Sequence, residues 1–415
     1  MADPAVAVAA VPARSMRWPV VGLLTVGVVI AYIDRINLST ALPAVRQSLS
    51  LTAESAGVVL SAFFWFYAAL QVPAGWVVDR FGVKWPYTAA FLFWSLVSAS
   101  TALVATFTGL LAVRLLLGIG ESIVTPASLR YIGLHFPEKQ RGLALGIYFS
   151  GTKYGPAIGA PLAAYLVRDY GWQRMFLLTG AGCLLWLIPW VLLVQNDAGG
   201  NSSSKHSEAS VPSFSWRVMA SSPVMWGTFL ATFCYMYFVY FCMTWMPTYF
   251  KDRHGLSLTN SGWYTFMSFG GMATIAIAGG FLADRLIARG WNAVKVRKTF
   301  IIVGFLLAFT EIIGAVADSA PATLFFAVFS LSGLGLATAN YWALTQTLVP
   351  ARALGRVAGI QNTAASLAGI AAPWITGWLV EQTGKFNAPL AAVGFWLVLG
   401  IGCYLFLVRE KYALR

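Results

Sequence analysis

Long apolar segments recur along the whole chain and are separated by shorter polar stretches. A run of about 18 or more apolar residues is long enough to cross the hydrocarbon core of a bilayer as a helix. The pattern predicts an all-α membrane protein with twelve transmembrane helices. The twelve segments lie near residues 18–42, 56–79, 85–106, 109–132, 142–167, 174–195, 223–250, 260–284, 299–318, 321–348, 354–380 and 388–408.

The polar stretch at 196–222 is longer than the others and is rich in Gly, Ser and Asn. This composition is typical of a flexible linker, so the pattern predicts two bundles of six helices joined by a cytoplasmic loop. The predicted organisation has a cytoplasmic tail at 1–17, bundles at 18–195 and 223–409, the linker at 196–222 and a second tail at 410–415.

A short motif repeats at corresponding places in the two predicted bundles. Residues Gly75–Arg80 end the second apolar segment with the letters GWVVDR, and residues Gly280–Arg285 end the eighth with GFLADR. A motif repeated in this way is typical of two parallel structural repeats within one membrane protein. The repeat therefore supports the division into two six-helix bundles.

Composition and charge exclude an ordinary soluble enzyme. The chain is 58% hydrophobic and 10% charged, and its mean hydropathy is +0.71. The net charge of +13 does not indicate a nucleic-acid partner, because 18 of the 28 Lys and Arg residues fall in segments that are cytoplasmic when the N-terminus is inside. This asymmetry places both termini in the cytoplasm. The four cysteines lie in apolar segments without metal-ligand spacing, and we expect no cofactor.

Charged residues inside the apolar segments mark the candidate site. Asp34 and Arg35 are adjacent in the first segment, where nothing else is charged. A charge at the centre of a bilayer costs about 2.5 to 3.5 kcal/mol on insertion scales, so two adjacent charges indicate a water-filled pathway, an ion site or a substrate site. Arg114 and Glu121 lie seven residues apart, which is two helical turns, and Lys153 follows in the fifth segment.

Three cations against two acids leave one net positive charge among these residues. Such an excess suits a carboxylate ligand, which an arginine binds through two parallel hydrogen bonds. Buried acids in the same cavity can carry protons, which favours an organic anion transported together with protons. A second interpretation stays open, in which the same charges form helix-bridging salt bridges without a ligand. Arg130 is expected to reach the membrane interface, and Glu311 has no assigned role.

Several motifs resemble the major facilitator superfamily, and the resemblance covers essentially the whole chain. Gly75–Lys84 is similar to its cytoplasmic loop motif, Gly280–Arg285 to the C-terminal counterpart, and Arg114–Gly120 to its fourth-helix motif. Asp79 ends a helix, where an acid opposes the helix dipole, so we expect a partner such as Arg80, Lys84 or a nearby helix N-terminus. The predicted conformational latch consists of Gly75, Asp79, Arg80, Gly82, Lys84, Asp284 and Arg285.

The resemblance narrows at the charged residues. Tyr32–Ser39 is similar to the helix-1 motif of the anion:cation symporter family, which includes bacterial galactonate, glucarate and hexuronate permeases. Gly118–Ser122 and Ser61–Pro73 resemble the same family's helices 4 and 2. The resemblance implies that Asp34 and Glu121 couple protons. The residues it implies for substrate binding are Tyr32, Arg35, Tyr67, Gln71 and Arg114, with Trp342, Thr345, Gln361, Asn362 and Ser366 in the second bundle.

The fifth segment departs from this family. Gly151–Gly159 resembles the helix-5 motif of proton-coupled drug antiporters, although close helix packing also explains its glycines. We predict that Thr152 and Lys153 contact substrate. Lys153 is unusual beside either pattern, and a second anion contact there favours a dicarboxylate or a differently placed acid.

The sequence as a whole predicts a monomeric symporter of the bacterial inner membrane that imports an aldonate, uronate or aldarate with protons. The alternatives are a drug/proton antiporter, an importer of tartrate or an aromatic acid, and a non-transporting membrane sensor. We expect no enzymatic activity and no nucleic-acid partner, since no nucleophile–base set or metal-ligand cluster is visible.

Overall fold

A computed structural model gives the fold for residues 17–195, 221–317, 319–350 and 354–413. These residues contain no strand, as the predicted all-α class requires. Residues 1–16, most of the predicted linker and the last two residues lie outside the described part. The helices are α1 (Arg17–Leu49), α2 (Ala53–Phe81), α3 (Lys84–Ser100), α4 (Phe107–Glu121), α5 (Val124–His135), α6 (Glu138–Cys183), α7 (Leu187–Leu193), α8 (Pro223–His254), α9 (Leu258–Ala288), α10 (Ala293–Phe309), α11 (Glu311–Val316), α12 (Ala320–Leu348), α13 (Leu354–Thr383) and α14 (Asn387–Gly402).

Ten helical segments in the described part of the chain are long and apolar enough to cross a membrane. The sequence predicts twelve, and two features account for the difference. The predicted third segment forms a helix of only 17 residues, α3. The predicted fifth and sixth segments lie in one helical stretch, Gln140–Leu193, whose backbone leaves the helical region at Gly171 (φ 81°, ψ 163°). Glycine adopts this positive φ without a Cβ clash, so the chain changes direction there.

An aromatic core holds the N-terminal helices α1–α7 together. The rings of Phe91 and Trp186 stack with centroids 4.3 Å apart, and those of Tyr87 and Trp190 lie 4.7 Å apart. The Trp186 indole donates a hydrogen bond to the Leu23 carbonyl at 3.0 Å. Large buried rings of this kind supply much of the packing energy between helices.

The helix α1 packs lengthwise on α6 through a row of glycines. Gly151, Gly155 and Gly159 recur every four residues, so they lie on one face of α6. A Cβ on Gly151 would lie 2.5 Å from the Val28 side chain, and a Cβ on Gly159 would lie 2.7 Å from that of Ile36. Because later glycines meet later residues of α1, the two helices run in the same direction. Small residues let membrane helices approach this closely.

In the C-terminal set, α8–α14, the other helices lie around α8. Every side chain of α8 from Tyr237 to Phe250 is buried, which is typical of a helix that is apolar on all sides. The Trp245 indole donates to the Pro373 carbonyl of α13 at 3.0 Å. The aromatic residues of α8 therefore act mainly as packing groups.

Three extensive helix contacts join the two sets: α1 with α8, α2 with α13, and α6 with α9. The approach is closest near the end of α1. A Cβ on Gly57 of α2 would lie 3.1 Å from the Cα of Gly377, and a Cβ on Gly262 of α9 would lie 2.9 Å from the Cα of Pro161. The two sets therefore meet tightly at the end of the molecule where α1 finishes and α2 begins.

Gly118 fixes the spacing between α4 and α2, and we expect Gly118→Ala to destabilise the fold. The added Cβ would clash with the Phe63 carbonyl oxygen and lie 3.1 Å from the Tyr67 nitrogen, and such overpacking costs about 1 to 3 kcal/mol. The measurement is the midpoint of thermal unfolding of the purified protein in detergent. Gly22→Ala is the control, because a Cβ there meets nothing within 4 Å. Equal midpoints for the two variants would contradict this account of the packing.

Candidate functional site

Arg35 lies in a buried cage of aromatic rings and one acid. Its guanidinium carbon is 4.5 Å from the ring centroid of Tyr32, 4.6 Å from that of Phe63 and 4.7 Å from that of Tyr67. Its Nε donates to Glu121 Oε2 at 2.9 Å, and both side chains are at most 4% exposed. The rings hold the guanidinium plane by cation–π contact, and Glu121 neutralises it. Because Glu121 accepts from Nε, this hydrogen bond leaves the N–H donors of the two terminal nitrogens unused.

Glu121 is the last residue of α4, and the helix is interrupted there before α5 begins at Val124. An acid at this position opposes the helix dipole, so the contact with Arg35 offsets two unfavourable conditions, burial and the dipole. Arg114 lies two turns earlier, with its guanidinium carbon 5.4 Å from the Phe63 ring. Its Nε is buried without a hydrogen-bond partner among the described residues. Arg114 is therefore a buried second cation close to the same ring.

Asp34 points away from Arg35, into the interior of the N-terminal helices. Its Oδ1 accepts a hydrogen bond from Ser98 of α3 at 2.9 Å, and its Oδ2 has no partner among the described residues. Adjacent residues on a helix diverge by about 100°, so Asp34 and Arg35 cannot share one partner easily. Glu121, and not the adjacent Asp34, is the acid that pairs with Arg35. Sequence reasoning missed Ser98, which no motif marks.

The other predicted residues of the N-terminal helices differ in whether they belong to this cage. Tyr32 is half-buried and packs on Gly155, and Tyr67 stacks on Phe63 with centroids 5.3 Å apart. The Nε2 of Gln71 on α2 is buried without a partner among the described residues. The Thr152 hydroxyl donates to the Phe149 carbonyl of its own helix at 2.8 Å. Tyr32 and Tyr67 thus belong to the cage, whereas the Thr152 hydroxyl is already engaged.

The predicted C-terminal residues divide into two groups. Gln361 Nε2 donates to Thr345 at 3.1 Å and to Thr232 at 3.3 Å, which links α13, α12 and α8 inside the C-terminal helices. Thr232 was not predicted, because a threonine in an apolar segment carries no signal of its own. Trp342 and Asn362 are half-buried, and Ser366 is buried. Gln361 and Thr345 therefore serve the packing of these helices in this conformation.

The acids of the two repeated motifs pair with arginines in their own helix sets. Asp79 binds Arg130 of α5, rather than the expected Arg80 or Lys84. Asp284 binds Arg297 of α10 at 2.8 Å. Arg130 therefore pairs with Asp79. The sequence predicted only that Arg130 reaches the membrane interface and named no partner for it. The aspartates remain 70% and 67% exposed, so water screens both pairs.

The other predicted latch residues lie around these pairs. The Arg80 guanidinium carbon is 5.8 Å from the Trp76 ring and 5.7 Å from the Phe81 ring. Gly82 ends α2 with a positive φ of 82°, which suits glycine. Lys84 begins α3, and Gly75 has open space at its Cβ position. Arg285 lies exposed near the end of α9.

A cluster that we call the closed end joins the two helix sets: Arg46, Ala53, Gly57, Asp252, Gly377 and Glu381. The amide nitrogen of Ala53, the first residue of α2, donates to Glu381 Oε2 of α13 at 2.8 Å. Arg46 Nη1 lies 3.9 Å from Asp252 Oδ2 at the end of α8. Of the ion pairs among the described residues, this one joins the two sets. An acid at a helix N-terminus is favourable, so Glu381 stabilises closure at this end.

The match to a known family decides the class of protein. The sequence matches the family model of the Major Facilitator Superfamily over residues 24–373. The chain belongs to this superfamily. Its fold agrees, because a bacterial homologue of the human lysosomal transporter Spinster, solved in an inward-facing and unoccupied conformation, superposes with a TM-score of 0.83. That match covers 97% of this chain and 99% of the other at 18% identity, so it concerns the fold alone.

Relatives within the superfamily confirm the resemblance to the anion:cation symporter family. The probable galactarate/D-glucarate transporter GudP of Bacillus subtilis is 30% identical over 95% of this chain and 92% of its own length. The probable L-galactonate transporter of Escherichia coli is 31% identical over 94% and 88%. The superfamily and these relatives are transporters, not enzymes, and the chain is a multi-pass membrane protein. Among the described residues, no group of three or more His, Cys, Asp or Glu could hold a metal ion.

Proposed function

We propose that the chain is a proton-coupled symporter that imports a small organic anion, a sugar acid of the aldonate, uronate or aldarate class, by alternating access. The observation that carries this proposal is the buried pair of Arg35 and Glu121 inside its aromatic cage. Arginine binds carboxylates well, and a buried acid can take up a proton when its cation turns to another anion. The names of the relatives support the sugar-acid class.

In the proposed cycle, a proton on Glu121 ends its charge attraction to Arg35. Arg35 then turns to the substrate carboxylate, with its guanidinium plane still held by the rings of Tyr32 and Tyr67. Arg114 lies on the same face of α4 and helps to set how readily Glu121 takes up its proton. When substrate leaves, Glu121 loses its proton and pairs again with Arg35. The coupling is thus an exchange of partners on one guanidinium, and it needs protons but no cofactor.

We assign Asp34 as a second proton site. Its Oδ2 is buried and has no partner among the described residues, which supports a group that alternates between charged and neutral forms. The hydroxyls of a sugar acid would meet neutral groups of the C-terminal helices, for which Trp342 and Asn362 are available in this conformation. Gln361, Thr345 and Ser366 would contribute after a change in helix packing, and Gln71 and Thr152 would line the same cavity.

We further propose twelve membrane-spanning helices, with α3 counted as one and the stretch Gln140–Leu193 counted as two, divided at Gly171. The bundles are then 18–195 and 223–409, joined by the cytoplasmic linker 196–222, with both termini in the cytoplasm. We also propose that the protein is a monomer in the bacterial inner membrane. In this topology the closed end faces the periplasm, and the conformation is inward-facing.

The two repeated motifs form the proposed latch on the cytoplasmic side. Gly75, Asp79, Arg80, Gly82, Lys84, Asp284 and Arg285 lie at the end opposite the closed end. Asp79 and Asp284 now bind Arg130 and Arg297 of their own sets. We propose that the aspartates change partners across the interface when the cytoplasmic side closes and the periplasmic side opens.

The drug/proton antiporter gains no support from α6, since its glycines contact α1 directly and packing accounts for them. The deciding experiment is uptake into proteoliposomes under an inward proton gradient. We expect radiolabelled galactonate, glucuronate or galactarate to accumulate and a protonophore to prevent it. Accumulation of tartrate or benzoate, with no accumulation of a sugar acid, would replace the sugar acids as the proposed substrate class. Proton-driven export of a cationic dye, without uptake of any acid, would overturn the proposal.

Alternating access predicts that Gly57 must stay small for the periplasmic end to close. Even a Cβ added at Gly57 would lie only 2.6 Å from the Pro373 carbonyl oxygen, so the larger leucine side chain of Gly57→Leu would not fit there. We expect spin labels at Glu54→Cys and Gln382→Cys to lie farther apart in this variant and transport to fall at least about tenfold. Gly22→Leu is the control, because its surroundings are open. An unchanged distance distribution would contradict the assignment of this end as a gate.

A further inference from the structure

Lys153 is a cation that the proposed cycle leaves unused. It is half-buried on α6, and within the described residues no carboxylate lies at ion-pair distance from its ammonium group. A half-buried ammonium group is more favourable with an anion beside it, so this position suits an anionic ligand.

The helical register of α6 places Lys153 at the wall between the two helix sets. Ala157, Ala160 and Ala164 follow it at intervals of four, three and four residues, so they lie on one face. That face meets α9, because a Cβ on Gly262 would lie 3.0 Å from the Ala160 carbonyl oxygen and 3.1 Å from the Ala164 Cβ. Lys153 therefore lies on the side of α6 that faces the C-terminal helices.

The same face changes from closed to open at Lys153. Ala157, Ala160 and Ala164 are at most 1% exposed. On the other side of Lys153, Gly146 is exposed, and a Cβ there would meet nothing within 4 Å. The direction is away from the closed end, because α6 runs parallel to α1 and α1 finishes at that end. Lys153 thus lies where the interface between the sets opens.

Lys153 and Arg35 lie at different depths along neighbouring helices. Tyr32 packs on Gly155, and α1 and α6 run in the same direction. Lys153 precedes Gly155 by two residues, and Arg35 follows Tyr32 by three. At 1.5 Å per residue, the two cationic residues are offset by roughly 7 to 8 Å along the helix axes. This offset, with two long and adjustable side chains, suits a ligand that carries an anion at each end.

We infer that the site takes a sugar-acid dianion: one terminal carboxylate binds Arg35, and the carboxylate at the other end binds Lys153. The inference rests on the proposed function and narrows its substrate to the aldarate class. Protonation of Glu121 frees the charge of Arg35, and Lys153 already carries its own. The positive charges of Arg35 and Lys153 then balance the two negative charges of the ligand. The second carboxylate therefore has a cation to pair with in the buried site.

Matched pairs of ligands test the inference directly. Galactarate and galactonate, like glucarate and gluconate, differ at the carbon that carries either a carboxylate or a hydroxymethyl group. We expect the purified protein to bind each dicarboxylate at least about tenfold more tightly than its monocarboxylate, measured by calorimetry at fixed pH. Lys153→Gln should remove this preference by weakening dicarboxylate binding alone, and Lys153→Arg should retain it. Lys295→Gln, at an exposed lysine outside the site, should behave as wild type.

The outcomes separate this inference from the function on which it rests. Equal binding of both members of each pair by the wild type would overturn the dianion and leave the symporter intact. Equal weakening of both ligands in Lys153→Gln would assign Lys153 to the structure of the site and overturn its ligand role. Failure of all four sugar acids to bind the wild type would overturn the proposed substrate class, and the inference with it.

Discussion

Glu121→Gln should abolish accumulation of substrate against its gradient while leaving exchange of substrate intact. Glutamine keeps the size of the side chain and a carbonyl that can still accept from Arg35 Nε, but it cannot bind and release a proton. The charge that holds Arg35 at 2.9 Å is also lost, so Arg35 becomes permanently available to a substrate carboxylate. Proteoliposomes with an imposed pH gradient should therefore equilibrate a sugar acid and not concentrate it.

The matched control for this variant is Glu311→Gln. Glu311 is also a buried acid, at 2% exposure, but its hydrogen-bond partner is the neutral hydroxyl of Ser330. It lies in α11 of the C-terminal helices, away from Arg35, and we expect normal pH-driven accumulation. If Glu121→Gln still concentrates substrate, proton coupling lies elsewhere, and Asp34 becomes the first residue to test. If counterflow is lost as well, Glu121 serves the structure of the site.

The sequence located the apolar helices well but not their ends or breaks. The first segment is predicted near 18–42, whereas α1 extends from Arg17 to Leu49. Hydropathy marks only the stretch at the depth of the hydrocarbon, and a helix continues beyond it while its backbone hydrogen bonds continue. The turn at Gly171 likewise depends on a backbone conformation that hydropathy does not report.

The sequence identified four residues that the fold brings together, but not how they pair. Arg35, Glu121, Tyr32 and Tyr67 were identified from charge and resemblance, and the fold places them together. The pairing itself depends on how α4 lies beside α1, which involves residues 86 positions apart. Asp34 is adjacent to Arg35 in the sequence but does not pair with it, since neighbours on a helix point in different directions.

The same limit explains the latch. The motif predicted that Asp79 needs a partner, and the candidates were Arg80, Lys84 or a nearby helix N-terminus. Its partner Arg130 comes from another helix, as Arg297 does for Asp284. The charge requirement of a helix C-terminus is a local property that sequence reveals. Which of several arginines meets it is a property of tertiary packing.

Arg35→Lys should lose most of the affinity for substrate although it conserves the charge. An ammonium group is a compact point charge, and it cannot offer the planar pair of donors with which a guanidinium binds a carboxylate. It would also fill less of the space between the rings of Tyr32, Phe63 and Tyr67, which hold the guanidinium carbon at 4.5 to 4.7 Å. We expect Kd to rise about 100-fold, which corresponds to roughly 2.7 kcal/mol.

Calorimetric titration of purified protein with a sugar acid measures this change, with Arg168→Lys as the control. Arg168 is 53% exposed and pairs with its neighbour Asp169, so its replacement should leave Kd unaltered. Thermal unfolding of Arg35→Lys shows whether the cage still folds, because lysine can keep the charge contact with Glu121. A variant that folds and binds substrate as the wild type does would refute Arg35 as the carboxylate ligand. Arg114 would then be the remaining buried arginine close to the Phe63 ring that could bind the carboxylate.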